Sequence, residues 1–418
     1  MENVIENFEF YDYRPAISEN FNETGSEFAI TAHNEDIVTQ PSKSLLVING
    51  TLNISKYVMV TEEAGEAAVS RLQPVTENDL ENFHFINNGL LHIFDRIDYY
   101  IGDVKIDTIR KPGIATTMKG LSSFEDDTQY NDAGWKITNT SPHNILNKDG
   151  HFSVTIPLSI IMGFFEDYKQ FLYHMPQKLV FYRNTGTHIN SVYVTPSTER
   201  YQVGLTLKEI AWRIPQIKFS IEYETQIRKD ILDNTNYEML YRHWFYQSIS
   251  PPAFATEFTW DFPVSYSKTK YILLAFQQLD TNSIHTDNSQ FNLLDLENIQ
   301  VLLNNNIYYP RERLNLKFSE HKCGRLYYMF KQFKASYYAN NSNNLKPLID
   351  YYTFLTKYPI IVIDCSHQPN LIKESLINIK IIFNWRTALS SATTNIHCLM
   401  IADRKAIYNP LNNQVIGQ

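Results

Sequence analysis

Residues 90–107, LLHIFDRIDYYIGDVKID, contain the pattern that decides the fold. Two short runs rich in β-branched and aromatic residues flank Gly102 and Asp103, and such a glycine-containing pair is typical of a tight hairpin turn. The next stretch, GIATTMKGLSSF at 113–124, lacks strand alternation and favours a short helix. The region therefore predicts a β-hairpin followed by a helix.

The same order of elements returns about half a chain later. Residues 297–303 and 307–310 form a second predicted hairpin around three asparagines at 304–306. The segment 321–338 predicts an amphipathic helix, because apolar residues recur there at spacings of three and four: Leu326, Met329, Phe330, Phe333 and Tyr337. This repetition favours a duplicated domain.

Elsewhere, short apolar runs alternate with clusters of Asn, Asp, Gly and Ser. They predict strands at 37–40, 44–54, 152–157, 178–183, 205–219, 359–364, 377–385 and 397–402. Asn49-Gly50 predicts a hairpin turn, and the spacing of Phe165, Tyr168 and Leu172 predicts a helical patch. The fold class predicted is all-β, with two tandem jelly-roll β-sandwiches and short helices in the loops between strands.

The chain divides into five predicted segments: an acidic N-terminal arm (1–36), a first jelly roll (37–223), a connection (224–237), a second jelly roll (238–410) and a C-terminal tail (411–418). The arm holds nine acidic residues and one base, Arg14, so it accounts for the formal charge of −8. We expect a solvated, partly mobile arm; docking on a neighbouring subunit is the alternative.

Composition limits the classes of protein that are possible. The chain is 43% hydrophobic and 20% charged, as expected for a globular protein, and its aromatic content of 14% favours strands. Without clustered Lys and Arg, direct nucleic-acid binding is not expected. The N-terminal residues lack a signal-peptide pattern, and no run of about 18 apolar residues predicts a membrane span. Three cysteines without CxxC spacing, Cys323, Cys365 and Cys398, indicate a reducing compartment rather than disulfides or zinc.

The motifs that suggest chemistry have simpler structural interpretations. Asp364-Cys365-Ser366-His367 offers a thiol, a hydroxyl and an imidazole, but neighbours at the end of an apolar strand point apart, so a turn is expected. Glu166 and Asp167 are consecutive carboxylates that cannot flank a substrate together, and they predict a helix with an apolar face and a wet face.

Histidines and tyrosine pairs also favour structure over chemistry. His84 and His92 are expected to be structural. The tyrosine pairs at 99–100, 308–309, 337–338 and 351–352 are assigned to the core and to subunit contacts in preference to a sugar-stacking platform. We therefore predict no catalytic, cofactor-binding or metal-binding residues, no cofactor and no enzymatic activity.

Several sequence blocks, in a fixed order from about residue 30 to 410, carry a family resemblance. They lie at 87–107, 113–120, 133–135, 156–158, 163–168, 210–215, 274–277, 302–310 and 362–366. Through them the chain resembles the double jelly-roll major capsid proteins of polinton-like, adintovirus-like and related DNA viruses of invertebrates, copies of which also persist in animal genomes.

The resemblance implies a structural protein of the virion. Three chains would form a pseudo-hexameric capsomer, and capsomers would tile an icosahedral shell. Its partners would be other copies of itself and minor capsid or penton proteins, and it would be made in the reducing cytoplasm or nucleus of the host. Two alternatives stay open: a domesticated, capsid-derived cellular protein, and a β-sandwich carbohydrate-binding protein.

Overall fold

The structure is a computed structural model. It describes residues 4–17, 19–32, 38–60, 69–76, 82–126, 128–137, 145–147, 149–185, 191–194, 199–262, 269–278, 284–304, 306–309, 313–338, 346–366, 378–390 and 393–417.

Strands dominate both halves of the chain. The first half contains β1 (Ile5–Tyr13), β2 (Glu27–Ala32), β3 (Val38–Thr39), β4 (Leu45–Val60), β5 (Val69–Pro74), β6 (Phe83–Phe85), β7 (Phe94–Ile101), β8 (Val104–Arg110), β9 (His151–Pro157), β10 (Leu172–Tyr173), β11 (Gln177–Arg183), β12 (Val192–Val194) and β13 (Tyr201–Phe219). The second half contains β14 (Tyr237–Ile249), β15 (Glu257–Asp261), β16 (Thr269–Gln278), β17 (Leu296–Leu303), β18 (Asn306–Tyr309), β19 (Ile361–Asp364), β20 (Ile379–Trp385), β21 (Thr394–Asn409) and β22 (Gln414–Gly417).

Short helices connect the strands. They are α1 (Pro112–Ser123), α2 (Gly163–Asp167), α3 (Ile221–Leu232), α4 (Gly324–Tyr337) and α5 (Tyr351–Thr356). α1 and α4 follow the two predicted hairpins, as the sequence pattern indicated. The predicted helical patch around Phe165 is shorter than expected: α2 ends at Asp167, and Leu172 lies in β10.

Each half has two main antiparallel sheets. In the first half the orders are β10-β3-β13-β4-β5, with β1 beside β13 and β9 beside β4, and β2-β11-β7-β8; β6 and β12 form a small extra sheet. In the second half the orders are β14-β21-β16-β19, with β22 beside β21, and β15-β20-β17-β18. No sheet of the described residues mixes strands from the two halves.

Aromatic side chains fill the space between the sheets of each half. The Tyr99 ring on β7 lies 6.1 Å from Trp212 on β13, in the opposite sheet. In the second half, Phe276 on β16 lies 5.7 Å from Phe383 on β20. Each half is therefore a β-sandwich whose core lies between its two sheets, and the predicted all-β class is confirmed.

The first hairpin forms as predicted, whereas the prediction of a hairpin turn at Asn49-Gly50 is wrong. Gly102 has a φ of 58°, the conformation that a tight turn between β7 and β8 requires. Asn49 and Gly50 instead lie inside the continuous strand β4. A Cβ on Gly50 would lie 2.6 Å from the Phe152 ring and 2.5 Å from the Thr206 carbonyl oxygen. Glycine is thus needed for close packing between neighbouring strands.

The N-terminal segment is not a free arm. Ile5–Tyr13 pairs along its length with the end of β13, and β2 places Phe28 and Ile30 in the core. Charge contributes to this pairing, because Glu6 lies 3.5 Å from Lys218 and Asp12 lies 3.7 Å from Arg213. The prediction of a mobile arm is therefore wrong for these strands, although most side chains of β1 are exposed to solvent.

The predicted connection and tail are also ordered. Helix α3 covers most of 224–237, begins earlier at Ile221, and packs Ile227 with Phe219 and Val38. The charged composition of this segment led to the prediction of a connection, but the segment forms an amphipathic helix. Glu224 and Arg228 form an exposed ion pair one turn apart on it. In the tail, β22 pairs with β21.

We expect Gly50→Ala to lower the free energy of unfolding by about 1–3 kcal/mol, because the new Cβ overpacks the strand against Phe152. Gly204→Ala is the matched control, since a Cβ there would meet its nearest atom at 3.6 Å, an ordinary contact. Urea denaturation followed by tryptophan fluorescence measures both. Equal losses in the two variants would contradict the close-packing role of Gly50.

Candidate functional site at the junction of the two halves

The two sandwiches meet where β8, an edge strand of the first half, faces β14, an edge strand of the second. The Tyr241 hydroxyl on β14 donates a hydrogen bond to the Ile106 carbonyl on β8, at 2.7 Å. Next to it, Asp107 Oδ1 lies 2.6 Å from His243 Nδ1, and the two side chains are only 1% and 2% exposed. These contacts join the halves through side chains instead of a shared sheet.

Helix α2, from the first half, lies against the same strand of the second half. The backbone amide of Phe164 donates to Asp107 Oδ2 at 2.9 Å. A Cβ on Gly163 would lie only 1.7 Å from the carbonyl oxygen of Arg242, so a side chain at this position would clash with the backbone of β14. Glycine here allows the close approach of α2 to β14.

A bidentate ion pair connects α2 with β14. Arg242 Nη2 lies 2.5 Å from Asp167 Oδ1, and Arg242 Nε donates to Asp167 Oδ2 at 2.8 Å. The guanidinium also lies 3.6 Å from the centre of the Tyr337 ring of α4. Although burial opposes the charge, the hydrogen bonds to Asp167 raise the pKa of Arg242. A paired and stacked guanidinium of this kind has one fixed orientation.

A buried lysine pairs with Glu166, the neighbouring residue of α2. The Lys119 side chain, on α1, is 2% exposed, and its Nζ lies 2.5 Å from Glu166 Oε1. Lys119 Nζ also donates to the Tyr338 hydroxyl at 2.9 Å, and the Tyr337 hydroxyl donates to the second Glu166 oxygen. Burial lowers the pKa of Lys119, and the neighbouring Glu166 carboxylate opposes that shift. Since both tyrosines belong to the second half, Glu166 contacts both sandwiches.

We call these residues the junction network: Asp107, Lys119, Glu166, Asp167, Arg242, His243, Tyr337 and Tyr338. Each of its three carboxylates contacts a cation or an imidazole of the network. A shift of one sandwich against the other would part Asp107 from His243 and Asp167 from Arg242, and a charge left unpaired at such a buried or part-buried position is strongly unfavourable. The arrangement can hold two sandwiches in one relative orientation.

The sequence singled out only some of these residues, and it misjudged two of them. Glu166 and Asp167 were expected on a wet helix face, but their side chains are 14% and 16% exposed, because cations from α1 and β14 pair with them. Arg242 and His243 were not singled out at all. The only sequence signal for Lys119 is a charge within an otherwise apolar and small-residue helix.

Two further imidazoles line a cavity of about 180 Å³ between the halves. His397 Nδ1 lies 2.6 Å from the Tyr246 hydroxyl, and His397 Nε2 lies 3.1 Å from Gln277 Oε1. Burial lowers the pKa of His397 to about 3, and burial together with the nearby Lys111 lowers that of His92 to about 4. Both rings are therefore neutral at pH 7.

Asp364, Cys365 and Ser366 of the cysteine-containing tetrapeptide lie at the end of β19, where the chain turns. Asp364 Oδ1 accepts the Ser366 amide at 2.8 Å, and Asp364 Oδ2 accepts the Ser336 hydroxyl at 2.7 Å. Cys365 is buried, which raises the pKa of its thiol. His367 lies outside the described residues. The described part of this motif therefore makes structural contacts.

The tyrosine pairs and His84 are dispersed through the fold. Tyr99 is in the core, Tyr351 donates to the His321 carbonyl at 3.1 Å, and Tyr352 is 72% exposed. His84 is half-buried on β6, which lowers its pKa. The side chains of residues 308 and 309 lie outside the described part of the chain. The described tyrosine pairs thus lie in different environments.

In the part of the chain that the structure describes, no group of three or more His, Cys, Asp or Glu side chains could hold a metal ion. None of the helices described is both long enough and apolar enough to cross a membrane. Cys323, Cys365 and Cys398 are buried free thiols. They contribute to packing as small apolar side chains.

Two jelly rolls in one chain, joined edge to edge, define a double jelly-roll protein. The model of the double jelly roll-like domain matches residues 83–406, and the chain belongs to this family. The resemblance seen in the sequence is confirmed at this level. No curated protein sequence matches the chain.

Solved structures with the same fold include viral capsid proteins. The mavirus major capsid protein has a TM-score of 0.56 and 8% identity, over 98% of this chain and 90% of that chain. PBCV-1 VP54, fitted into a reconstruction of the virophage Sputnik, has a TM-score of 0.55 and 11% identity, over 98% of this chain and 96% of that chain. The Faustovirus major capsid protein has a TM-score of 0.54 and 9% identity, over 96% of this chain and 90% of that chain. The likeness thus spans nearly the whole chain.

We expect Asp167→Asn to lower the free energy of unfolding by about 1.5–3 kcal/mol, because the part-buried Arg242 would lose the carboxylate that accepts its hydrogen bonds. Asp403→Asn is the control: its partner is Lys270, both side chains are 39% exposed, and the loss should stay below about 1 kcal/mol. Urea denaturation measures both variants. Similar losses would contradict the importance of the buried pair.

The free energy of unfolding should fall as the pH drops below 6.5. In the unfolded chain His92 and His397 bind protons near that pH, whereas in the folded chain their pKa values are about 4 and about 3, so they stay neutral until the pH is much lower. Each histidine contributes a slope of about 1.4 kcal/mol per pH unit in this window. His397→Gln should flatten the dependence of Tm on pH between 6.5 and 4.5. His151→Gln, at an exposed position, is the control; an unchanged slope in His397→Gln would contradict this account.

Proposed function

We propose that the chain is a viral major capsid protein, with a structural and not an enzymatic role. The observation that carries the proposal is the double jelly roll extending over nearly the whole chain, shared with the capsid proteins of mavirus, Faustovirus and PBCV-1. Three chains would then bring together six sandwiches in a pseudo-hexameric capsomer, and capsomers would tile an icosahedral shell.

The junction network supports this function physically. A capsomer that tiles a shell needs its sandwiches in a constant relative orientation, since a closed assembly repeats each contact with the same geometry. Asp107–His243 and Asp167–Arg242 connect the two halves through buried, directional contacts. The two sandwiches of one chain would thus behave as one building block.

Exposed apolar side chains suit contacts between copies. Leu240 on β14 and Ile416 on β22 are 63% and 59% exposed, and Ile407 on β21 is the cross-strand partner of Ile416. Leu232 and Phe254 are also exposed, at 73% and 67%. Isolated apolar side chains are common on surfaces, but subunit interfaces bury such groups. We propose that some of them are covered by neighbouring chains.

The proposal includes the finer assignments. The jelly rolls are placed at 37–223 and 238–410, with β1 and β2 completing the sheets of the first. Partners are other copies and minor capsid or penton proteins, the mature location is the virion, and synthesis takes place in a reducing host compartment. A genome would be neutralised by other components, since the chain carries a formal charge of −8.

Purified protein should form trimers, with three times the 48.8 kDa mass of one chain, or closed shells. Multi-angle light scattering and negative-stain microscopy of the same fractions measure this over a range of concentration and salt. Trimers that never close would indicate a capsid-derived cellular protein. A monomer under every condition would contradict the proposal, and binding on a glycan array would then favour the carbohydrate-binding alternative.

A further inference from the structure

The two halves have the same strand topology. In the first half, the last long strand, β13, pairs with β4 on one side and with β1 on the other; in the second half, β21 pairs with β16 on one side and with β14 on the other. The facing sheets, β2-β11-β7-β8 and β15-β20-β17-β18, have one common order. Strand β1 therefore corresponds to β14, and β18 corresponds to β8.

The hairpins that contain β8 and β18 agree residue by residue. Each has a two-residue turn, and each pairing skips one residue of the second strand at the same distance from the turn. The skipped residue is Ile106 in β8 and Tyr308 in β18. Asp107, the next residue of β8, therefore corresponds to Tyr309. A shared irregularity of this kind fixes the correspondence between the two strands.

Within one chain, the edge of β8 is covered by β14. The carbonyl of Ile106 accepts the hydrogen bond of the Tyr241 hydroxyl, and Asp107 lies against His243. All four of these residues are buried. The junction thus places the edge strand of one sheet of the first half against the edge strand of a sheet of the second half.

The two corresponding edges have no such cover within the chain. Among the described residues, β1 pairs with β13 alone and β18 pairs with β17 alone. The aromatic residues Phe10 and Tyr11 of β1 are 38% and 47% exposed. Edge strands with free backbone groups are surfaces on which another chain can dock. One chain thus carries both surfaces of its own junction a second time, at edges that no described strand covers.

We propose that β18 of one chain docks against β1 of a second copy, in the arrangement that β8 and β14 have within one chain. Positions 308 and 309 then lie where 106 and 107 lie at the junction. The contact joins two different surfaces, so copies associate head to tail, and a rotation that closes produces a ring. The proposal rests on the capsid function proposed above, and it names the surfaces that join the copies.

Removing the aromatic side chains of β1 tests the first surface. Neighbouring residues of a strand point to opposite faces, so Phe10→Ser combined with Tyr11→Ser removes the ring on either face. We expect light scattering over a concentration series to show association at least tenfold weaker than in the wild type, because aromatic residues carry much of the binding energy of interfaces. Tyr57→Ser combined with Leu72→Ser is the matched control. These cross-strand partners of β4 and β5 are similarly exposed, and association should be unchanged.

Tyr308→Glu tests the second surface. It removes a ring and adds a carboxylate to the strand that docks on β1, whose own acids, Glu6, Glu9 and Asp12, would repel it. We again expect association at least tenfold weaker than in the wild type. Circular dichroism establishes that each variant is folded. If Tyr308→Glu does not fold, Asn306→Glu, at the exposed first residue of β18, takes its place.

Mixing the β1 variant with the β18 variant tests whether the contact is head to tail. Each variant keeps one intact surface, so neither should self-associate, whereas an equimolar mixture should form one-to-one dimers in analytical ultracentrifugation. If wild-type trimers form but either folded variant assembles like the wild type, or the mixture stays monomeric, this proposal is overturned and the capsid function stands. A wild-type chain that is a monomer under every condition would overturn both.

Discussion

The structure depends on the requirement that buried carboxylates be paired. Asp107 and Asp167, both in the first half, have their charged or imidazole partners His243 and Arg242 in the second half. Glu166 is shared between Lys119 of the first half and tyrosines of the second. A slide or rotation of one sandwich against the other would break several of these contacts at once. Apolar contacts cross the junction too, as between the rings of Phe164 and Tyr241, and the paired charges add directional contacts to them.

Local sequence patterns predicted much of the fold. Gly102 marks the first hairpin because a tight turn needs a positive φ, and α4 was visible because its buried residues recur with helical spacing. Asn49-Gly50 misled because the same dipeptide serves a different need: Gly50 leaves room for the Phe152 ring inside a long strand. A dipeptide cannot distinguish a turn from a close approach between strands, since the difference lies in residues far along the chain.

The junction could not be predicted in the same way. Arg242 and Asp167 are 75 residues apart, and Glu166 and Tyr337 are 171 apart, so no linear motif joins them. The wet helix face predicted for Glu166 and Asp167 was wrong because cations from α1 and β14 pair with them, and the acidic composition of β1 did not indicate that this strand pairs with β13. Pairing between distant charges depends on tertiary structure, which periodicity does not encode.

The position of β1 has a consequence for how the chain is made. The first strand of the chain pairs with the end of β13, and β14, the first strand of the second half, pairs with β21 near the C-terminus. Each sandwich therefore closes only after its last long strand has left the ribosome. Such distant pairings give a high contact order and slow folding. Until then a nascent chain exposes unpaired strand edges, and such edges are prone to aggregation.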